Sequence, residues 1–177
     1  EGNVTETGYD SRGRVTVELD ALDHPTYFAY NLQGQLASTQ NALGYTEYHE
    51  YDANANRIAS QDALGQVTYS YYDAANRLFA TRSPLGYLSY FGYDLAGRTV
   101  ASKDPLGNTT YLYYDEAGNR TATRDALGGV TYSYYDALNR VYAAEDALGN
   151  LSYFEFDAAG RQVAAKGLAL AAKLPVF

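Results

Sequence analysis

Runs of about six and seven residues, rich in Thr, Tyr, Val and Phe, alternate along the chain with short polar stretches that contain Gly. These are strand lengths and strand residues. Gly recurs too often for any run to reach three helical turns. The polar stretches are of two kinds, and both read as turns. One is D-x-x-G/N-R, as in Asp94-Leu95-Ala96-Gly97-Arg98. Its Asp can accept bonds from the backbone just downstream, and Gly or Asn tolerates positive φ. The other is D-A/P-L-G, as in Asp104-Pro105-Leu106-Gly107, with Pro suited to the second turn position and Gly to the last.

The whole unit, strand-turn-strand-turn, repeats every 21 residues with no insertion or deletion. A Tyr-Asp pair or a close relative falls at Tyr9-Asp10, Tyr30-Asn31, Tyr51-Asp52, Tyr72-Asp73, Tyr93-Asp94, Tyr114-Asp115, Tyr135-Asp136 and Phe156-Asp157. A second Tyr stands three residues before it, at Tyr27, Tyr48, Tyr69, Tyr90, Tyr111, Tyr132 and Tyr153. Gly44, Gly65, Gly86, Gly107, Gly128 and Gly149 close the second turn, with Leu22-Asp23 as the variant. Four residues past the acid comes a basic or amide position: Arg14, Gln35, Asn56, Arg77, Arg98, Asn119, Arg140 and Arg161.

Two all-β folds fit eight such repeats. One is an antiparallel meander of hairpins forming a curved or spiralling sheet, and the alternative is a parallel β-solenoid. A solenoid would stack the Asp columns about 4.8 Å apart, a ladder of like charges. A meander separates them by two strands, roughly 9–10 Å, near the screening length at physiological salt. Each Asp also has a local basic neighbour, as Asp73 has Arg77. The meander is therefore the expected fold. Side chains alternate faces with period two, so an odd period demands one odd loop or one bulge per repeat. A bulge near Ser70-Tyr71 would bring Tyr69 and Tyr72 to one face. The small column Ala59, Ala80, Ala101, Ala122, Ala143 and Ala164 would then pack against rings in a mostly dry, Tyr-lined face.

The repeat carries a resemblance to a known family. The stretch Gly107 to Arg120, GNTTYLYYDEAGNR, looks like the YD repeat of the Rhs family, and Tyr93-Asp94-Leu95-Ala96-Gly97-Arg98 matches its Y-D-x-x-G-R core. That family includes bacterial Rhs and wall-associated proteins, shell-forming subunits of insecticidal toxin complexes, and teneurins. The resemblance implies a long antiparallel sheet that can enclose cargo in toxin members, support adhesion in others, and in some bind carbohydrate. This chain departs from the common Y-x-Y-D spacing, mostly reading Y-x-x-Y-D, and the family's autoproteolytic C-terminal region is not recognisable.

Residues 1–166 are expected to form one array that begins in mid-repeat, since Gly2-Asn3 aligns with Gly107-Asn108. Residues 167–177 form an apolar tail, with Leu168, Leu170, Leu174, Val176 and Phe177, that would cap the array or mark a longer parent.

Composition narrows the chemistry. The chain of 177 residues has 20 Tyr and 6 Phe but no Trp, Met or Cys, and a net charge of -8. No Cys means no disulfide framework, zinc-thiolate site or Cys nucleophile. The negative charge opposes binding to nucleic acid or anionic membranes. No apolar run is long enough for a membrane span, and a secretion signal would lie outside this segment.

His24 and His49 are the only histidines and occupy different columns. Only Glu47 and Glu50 lie near His49, so convergent ligands or a catalytic constellation are not expected. One Asp beside an Arg in each turn argues against calcium. Asn-x-Ser/Thr at Asn3, Asn108, Asn119 and Asn150 reads as a turn Asn before a strand hydroxyl. No catalytic residue, metal or cofactor is expected, and the repeat columns themselves are the candidate structural positions. The expected role is a non-catalytic scaffold in the wall or shaft of a secreted or cell-surface assembly. Its expected partners are further YD repeats joined edge to edge. A carbohydrate-binding module and a segment of a cargo-enclosing toxin shell are the alternatives.

Overall fold

In the computed structural model, residues 5–168 are described; Gly167 and Leu168, expected to open the tail, end the last strand, while residues 169–177 and Gly2-Asn3 with its Asn3 sequon lie outside. The described residues form sixteen β-strands and no helix. The chain divides into two compact units, Glu1–Ser89 and Tyr90–Phe177. The first holds β1 (Glu6–Tyr9), β2 (Val15–Leu19), β3 (Pro25–Tyr30), β4 (Leu36–Gln40), β5 (Thr46–Tyr51), β6 (Arg57–Gln61), β7 (Val67–Tyr72) and β8 (Leu78–Arg82). The division falls within β9 (Leu88–Tyr93). The second continues with β10 (Thr99–Lys103), β11 (Thr109–Tyr114), β12 (Arg120–Arg124), β13 (Val130–Tyr135), β14 (Val141–Glu145), β15 (Leu151–Phe156) and β16 (Gln162–Leu168).

Within each unit every strand pairs antiparallel with the next in sequence. The fold is the expected meander, and the solenoid is excluded. Fifteen turns connect the strands, and both kinds close alike. In the YD turn, the Asp94 N–H donates to the Arg98 carbonyl and the Gly97 N–H donates back to the Asp94 carbonyl. The D-A-L-G turn repeats this with Asp104, Asn108 and Gly107. This is the three-residue hairpin loop whose last residue is left-handed. Gly97 accordingly has φ 81°, while Asn76, Asn139 and even Ala55 hold the same place at 58°, 58° and 68°.

Two identical loops cancel in their effect on the faces, so the odd residue must sit elsewhere. It is a bulge in every repeat, one of the two devices that the odd period allows. Its place differs from expectation. β7 runs regularly, with Tyr69, Tyr71 and Tyr72 opposite Arg82, Ala80 and Leu78. The extra residue is Phe79, in the following strand. Its equivalents include Ile58, Val100, Thr121 and Tyr142. Tyr69 and Tyr71 therefore share one face, and Tyr72 lies on the other.

The ring-and-alanine face exists, but it is built from the tyrosines one and three residues before the YD tyrosine. Ala122 lies between Tyr113 and Tyr132, and Ala143 between Tyr134 and Tyr153. The bulge adds rings to the same face: Phe79 lies 6.4 Å from Tyr71, and Tyr142 lies 6.4 Å from Tyr134. The face is not dry. Among the described residues only Ala59, Ala80, Ala122 and Ala143 are buried, while Tyr132 and Tyr153 remain 41% and 37% exposed. The described strands of each unit form a single layer, so its rings shield the alanines between them and themselves stay half-exposed. The opposite face is rich in hydroxyls, with cross-strand rows such as Thr123 opposite Leu112 and Thr131.

Candidate functional site: the inter-repeat contacts of the YD columns

The YD aspartate does three things with one carboxylate. Oδ1 of Asp73 accepts the N–H of Ala75 at 2.9 Å and of Arg77 at 3.0 Å, which fixes the turn. Oδ2 accepts the Arg77 guanidinium at 2.7–2.8 Å. Asp10, Asp94, Asp136 and Asp157 pair with their arginines in the same way. Where the basic position is Asn, its amide takes the role, as Asn119 Nδ2 donates to Asp115 Oδ2 at 3.0 Å. The physical effect is a lowered pKa along the whole column. The Arg98 side chain, then its own N–H, hold Asp94 below the ordinary value of 3.8. For Asp10 the Arg14 N–H is the larger cause. For Asp52 and Asp115 it is the Asn56 and Asn119 amides.

The same basic or amide residue then reaches into the next repeat. Arg98 donates to the Asp115 carbonyl at 3.0 Å and lies 4.7 Å from the centre of the Tyr114 ring. Arg14 lies over Tyr30 at 4.4 Å and Arg140 over Phe156 at 4.5 Å. Asn56 and Asn119 bridge instead to Asn76 and Asn139, each at 2.9 Å. These cationic groups over ring faces are attractive contacts, and each couples one turn to its neighbour.

The YD tyrosine completes the junction from its own side. Its hydroxyl donates to a backbone carbonyl fifteen residues earlier: Tyr30 to Val15 at 2.9 Å, Tyr51 to Leu36 at 3.0 Å, Tyr114 to Thr99 at 3.0 Å and Tyr135 to Arg120 at 3.1 Å. The register shows why that carbonyl needs a donor. The ladder between β6 and β7 ends at the Ala59–Tyr69 pair, because Ile58 is the bulge. Arg57, just beyond it, receives the Tyr72 hydroxyl at 3.3 Å instead. The bulge and the tyrosine are thus two halves of one device. The sequence displayed the tyrosine but not its target, which is a main-chain atom in residues of no fixed type.

The upstream tyrosines, Tyr27, Tyr48, Tyr69, Tyr90, Tyr111, Tyr132 and Tyr153, lie on the half-exposed ring face and not in this junction. There Arg82 lies 5.6 Å from Tyr69, and Arg124 lies 6.0 Å from Tyr111. The glycines Gly44, Gly65, Gly86, Gly107, Gly128 and Gly149 all have positive φ at the end of the second turn.

His24 sits in a turn with Nδ1 3.1 Å from Asp20 Oδ2, in an open cleft of about 740 Å³ lined by Glu6, Glu18 and Leu43. His49 lies in β5 opposite Ser60, so the two histidines are not brought together. No group of three or more His, Cys, Asp or Glu suited to a metal occurs among the described residues. Asn108 and Asn150 spend their amides on Asp104 and Asp146 within their turns. No helix among the described residues is long and apolar enough to cross a membrane.

Comparison with known proteins agrees with this geometry. Residues 93–130 match the RHS Repeat family model. No curated protein matches the chain. A crystal structure of TcdB2-TccC3-Cdc42 aligns with 92% of the chain at 17% identity and a TM-score of 0.79, using 10% of its own length. A structure of TcdB2-TccC3 aligns with 93% at 16% identity and a TM-score of 0.64, using 12% of its length. The Photorhabdus luminescens Tc holotoxin pore aligns with 91% at 11% identity and a TM-score of 0.50, using 13% of its length. The chain therefore spans little more than a tenth of the solved chains that it matches. Its tyrosines, aspartates and paired turns make an array that is similar to the RHS Repeat over residues 93–130 and shares its fold with the TcdB2-TccC3 structures.

Proposed function

We propose that the chain is a non-catalytic structural array, a stretch of wall or shaft in a larger secreted or cell-surface assembly. One observation carries this reading. The recurring polar side chains are spent on the fold itself, with the YD carboxylates closing turns, the basic and amide residues bridging repeats, and the tyrosine hydroxyls capping carbonyls left by bulges. The matched length of RHS repeat and the shared fold support the same reading. A segment of a cargo-enclosing toxin shell is the finer form of it, and the likeness to Tc toxin chains favours that form over a fibre.

The test is limited proteolysis with chymotrypsin in graded urea. Exposed Tyr, Leu and Phe are abundant, so cleavage depends on whether segments open locally. A structural array keeps its full length in native buffer and loses it only as its repeats unfold in urea. Rapid nicking in native buffer would contradict it. A second reading, carbohydrate binding, is favoured by the exposed rings beside Arg82 and Arg124. Saturable change of Tyr fluorescence with soluble sugars would support it, and a flat titration would remove it.

A further inference from the structure

The ring face holds a place that two repeats fill and another leaves open. In β14 the bulge residue is Tyr142, whose ring lies 6.4 Å from Tyr134, and Ala143 beside it is 2% exposed. In β8 the bulge residue is Phe79, 6.4 Å from Tyr71, and Ala80 is again 2% exposed. In β12 the bulge residue is Thr121, which brings no ring. Ala122 is 8% exposed, and an open cleft of about 340 Å³ is lined by Tyr113, Thr121, Ala122, Val130 and Tyr132. Tyr113 and Tyr132 stand on either side of Ala122, two strand spacings or about 9.6 Å apart. A ring midway between them would lie about 4.8 Å from each, within the range of attractive ring pairs. Ile58 and Val100 bring no ring either, but there Glu50 and Gly92 stand where Tyr113 does, so one wall is missing.

We propose that this cleft binds an aromatic side chain of another polypeptide, with an acidic residue next to it. The ring is specified by the equivalent places in β8 and β14, which take a phenyl and a phenol group of their own. The acid is specified by charge complementarity. Arg124 lies opposite Val130, two residues or about 7 Å along β12 from Ala122. It is exposed, lies 6.0 Å from the Tyr111 ring, and makes no ion pair among the described residues. On the other flank Glu145 stands opposite Tyr132 and already accepts the Tyr134 hydroxyl at 2.9 Å. A ligand carboxylate is therefore drawn to the Arg124 side and repelled from the Glu145 side, which sets the direction in which the segment lies.

This site stands apart from the scaffold reading. The hydroxyls that cap the bulge carbonyls belong to the YD tyrosines, such as Tyr114 and Tyr135, which face the other way. Tyr113 and Tyr132 take no part in those junctions. Occupying the cleft leaves the inter-repeat contacts as they are, and a failure to bind would say nothing against them.

The test is methyl NMR of the full chain with isotope-labelled alanine, titrated with the blocked dipeptide N-acetyl-Asp-Phe-amide. The probe's ring current should move the Ala122 methyl in a saturable way and leave the methyls of Ala80 and Ala143, whose places are taken. Exchanging the probe's Asp for Asn should weaken binding roughly two- to fivefold, as expected for one exposed ion pair. Arg124→Gln should do the same, and the two changes together should cost no more than either alone. Thr121→Phe fills the cleft from within, as Phe79 does, and should abolish the shift. Circular dichroism checks that its fold is kept, and Arg124→Gln, at an exposed side chain, decides the matter if it is not. The proposal is overturned if the Ala122 methyl does not move, if all three methyls move alike, if affinity ignores both charges, or if methyl glucoside moves Ala122 and the dipeptide does not.

Discussion

Tyr114→Phe removes one oxygen and nothing else. In the fold, that oxygen donates at 3.0 Å to the Thr99 carbonyl, at the point where the bulge at Val100 diverts the strand from its neighbour. The ring itself stays under Arg98, so packing and the ring contact are retained. The loss is then one half-buried neutral hydrogen bond, about 1 kcal/mol. With a urea dependence of about 2 kcal/mol/M for a protein of this size, the midpoint should fall by roughly 0.5 M with an unchanged slope. Repeat arrays can melt in parts, so exchange of the β10 and β11 amides should report the same loss locally. The chain contains the reverse experiment. Phe156 occupies the tyrosine place, with Arg140 over its ring at 4.5 Å, and it has no hydroxyl for the Val141 carbonyl. Phe156→Tyr should therefore gain a similar amount. The reasoning is refuted if Tyr114→Phe leaves the midpoint unmoved, or if Phe156→Tyr brings no gain.

Other predictions address the turns and the ring face. Ala55→Gly should stabilise by about 1 kcal/mol, read as a higher urea midpoint, because Ala55 holds a left-handed φ of 68° that an L side chain resists. Asn76→Gly should not share that gain, because it deletes the acceptor of the Asn56 amide. Ala143→Leu should cost roughly 1–3 kcal/mol by overpacking a residue that is 2% exposed between Tyr134 and Tyr153, and a thermal melt would show it. Acid should loosen the array. The folded aspartates of the column, Asp73, Asp94 and Asp136 among them, titrate below the ordinary 3.8, so the unfolded chain takes up protons first. Their contribution is complete above about that value and is lost as pH falls through the lower folded values. Urea midpoints should hold from neutral pH down to that region and then drop; a midpoint that stays level through it contradicts the turn geometry.

The sequence was most legible where chemistry is local. Asp94 and Gly97 announce a turn because both the acceptor and the left-handed residue are side-chain properties, and the strict period carries that reading to every repeat. The odd period even required one odd loop or one bulge in each repeat. Its address was hidden, because the extra residue is Ile58 in one repeat, Phe79 in the next, then Val100 and Thr121, with no common size or polarity. A bulge is set by backbone register and the twist after a tight turn, neither of which selects one residue type. Misplacing it moved Tyr72 to the wrong face and made the ring face look dry. The role of the YD hydroxyl was hidden for a related reason: its partner is a carbonyl, which every residue has. The arginine was readable as the aspartate's neighbour in sequence. Its second contact, with the ring sixteen residues on, became visible only with the strands laid side by side.

The central claim is that the YD columns make the turns as rigid as the strands and bind repeat to repeat. Amide hydrogen exchange, resolved residue by residue, tests it most directly at Arg77, Arg98, Asn119 and Arg140, whose N–H groups donate to aspartate Oδ1 at 2.8–3.0 Å. The account predicts that these turn amides exchange as slowly as neighbouring strand amides and become exposed together with them. Turn amides that exchange at the rate of an open loop, while the strands stay protected, would contradict it.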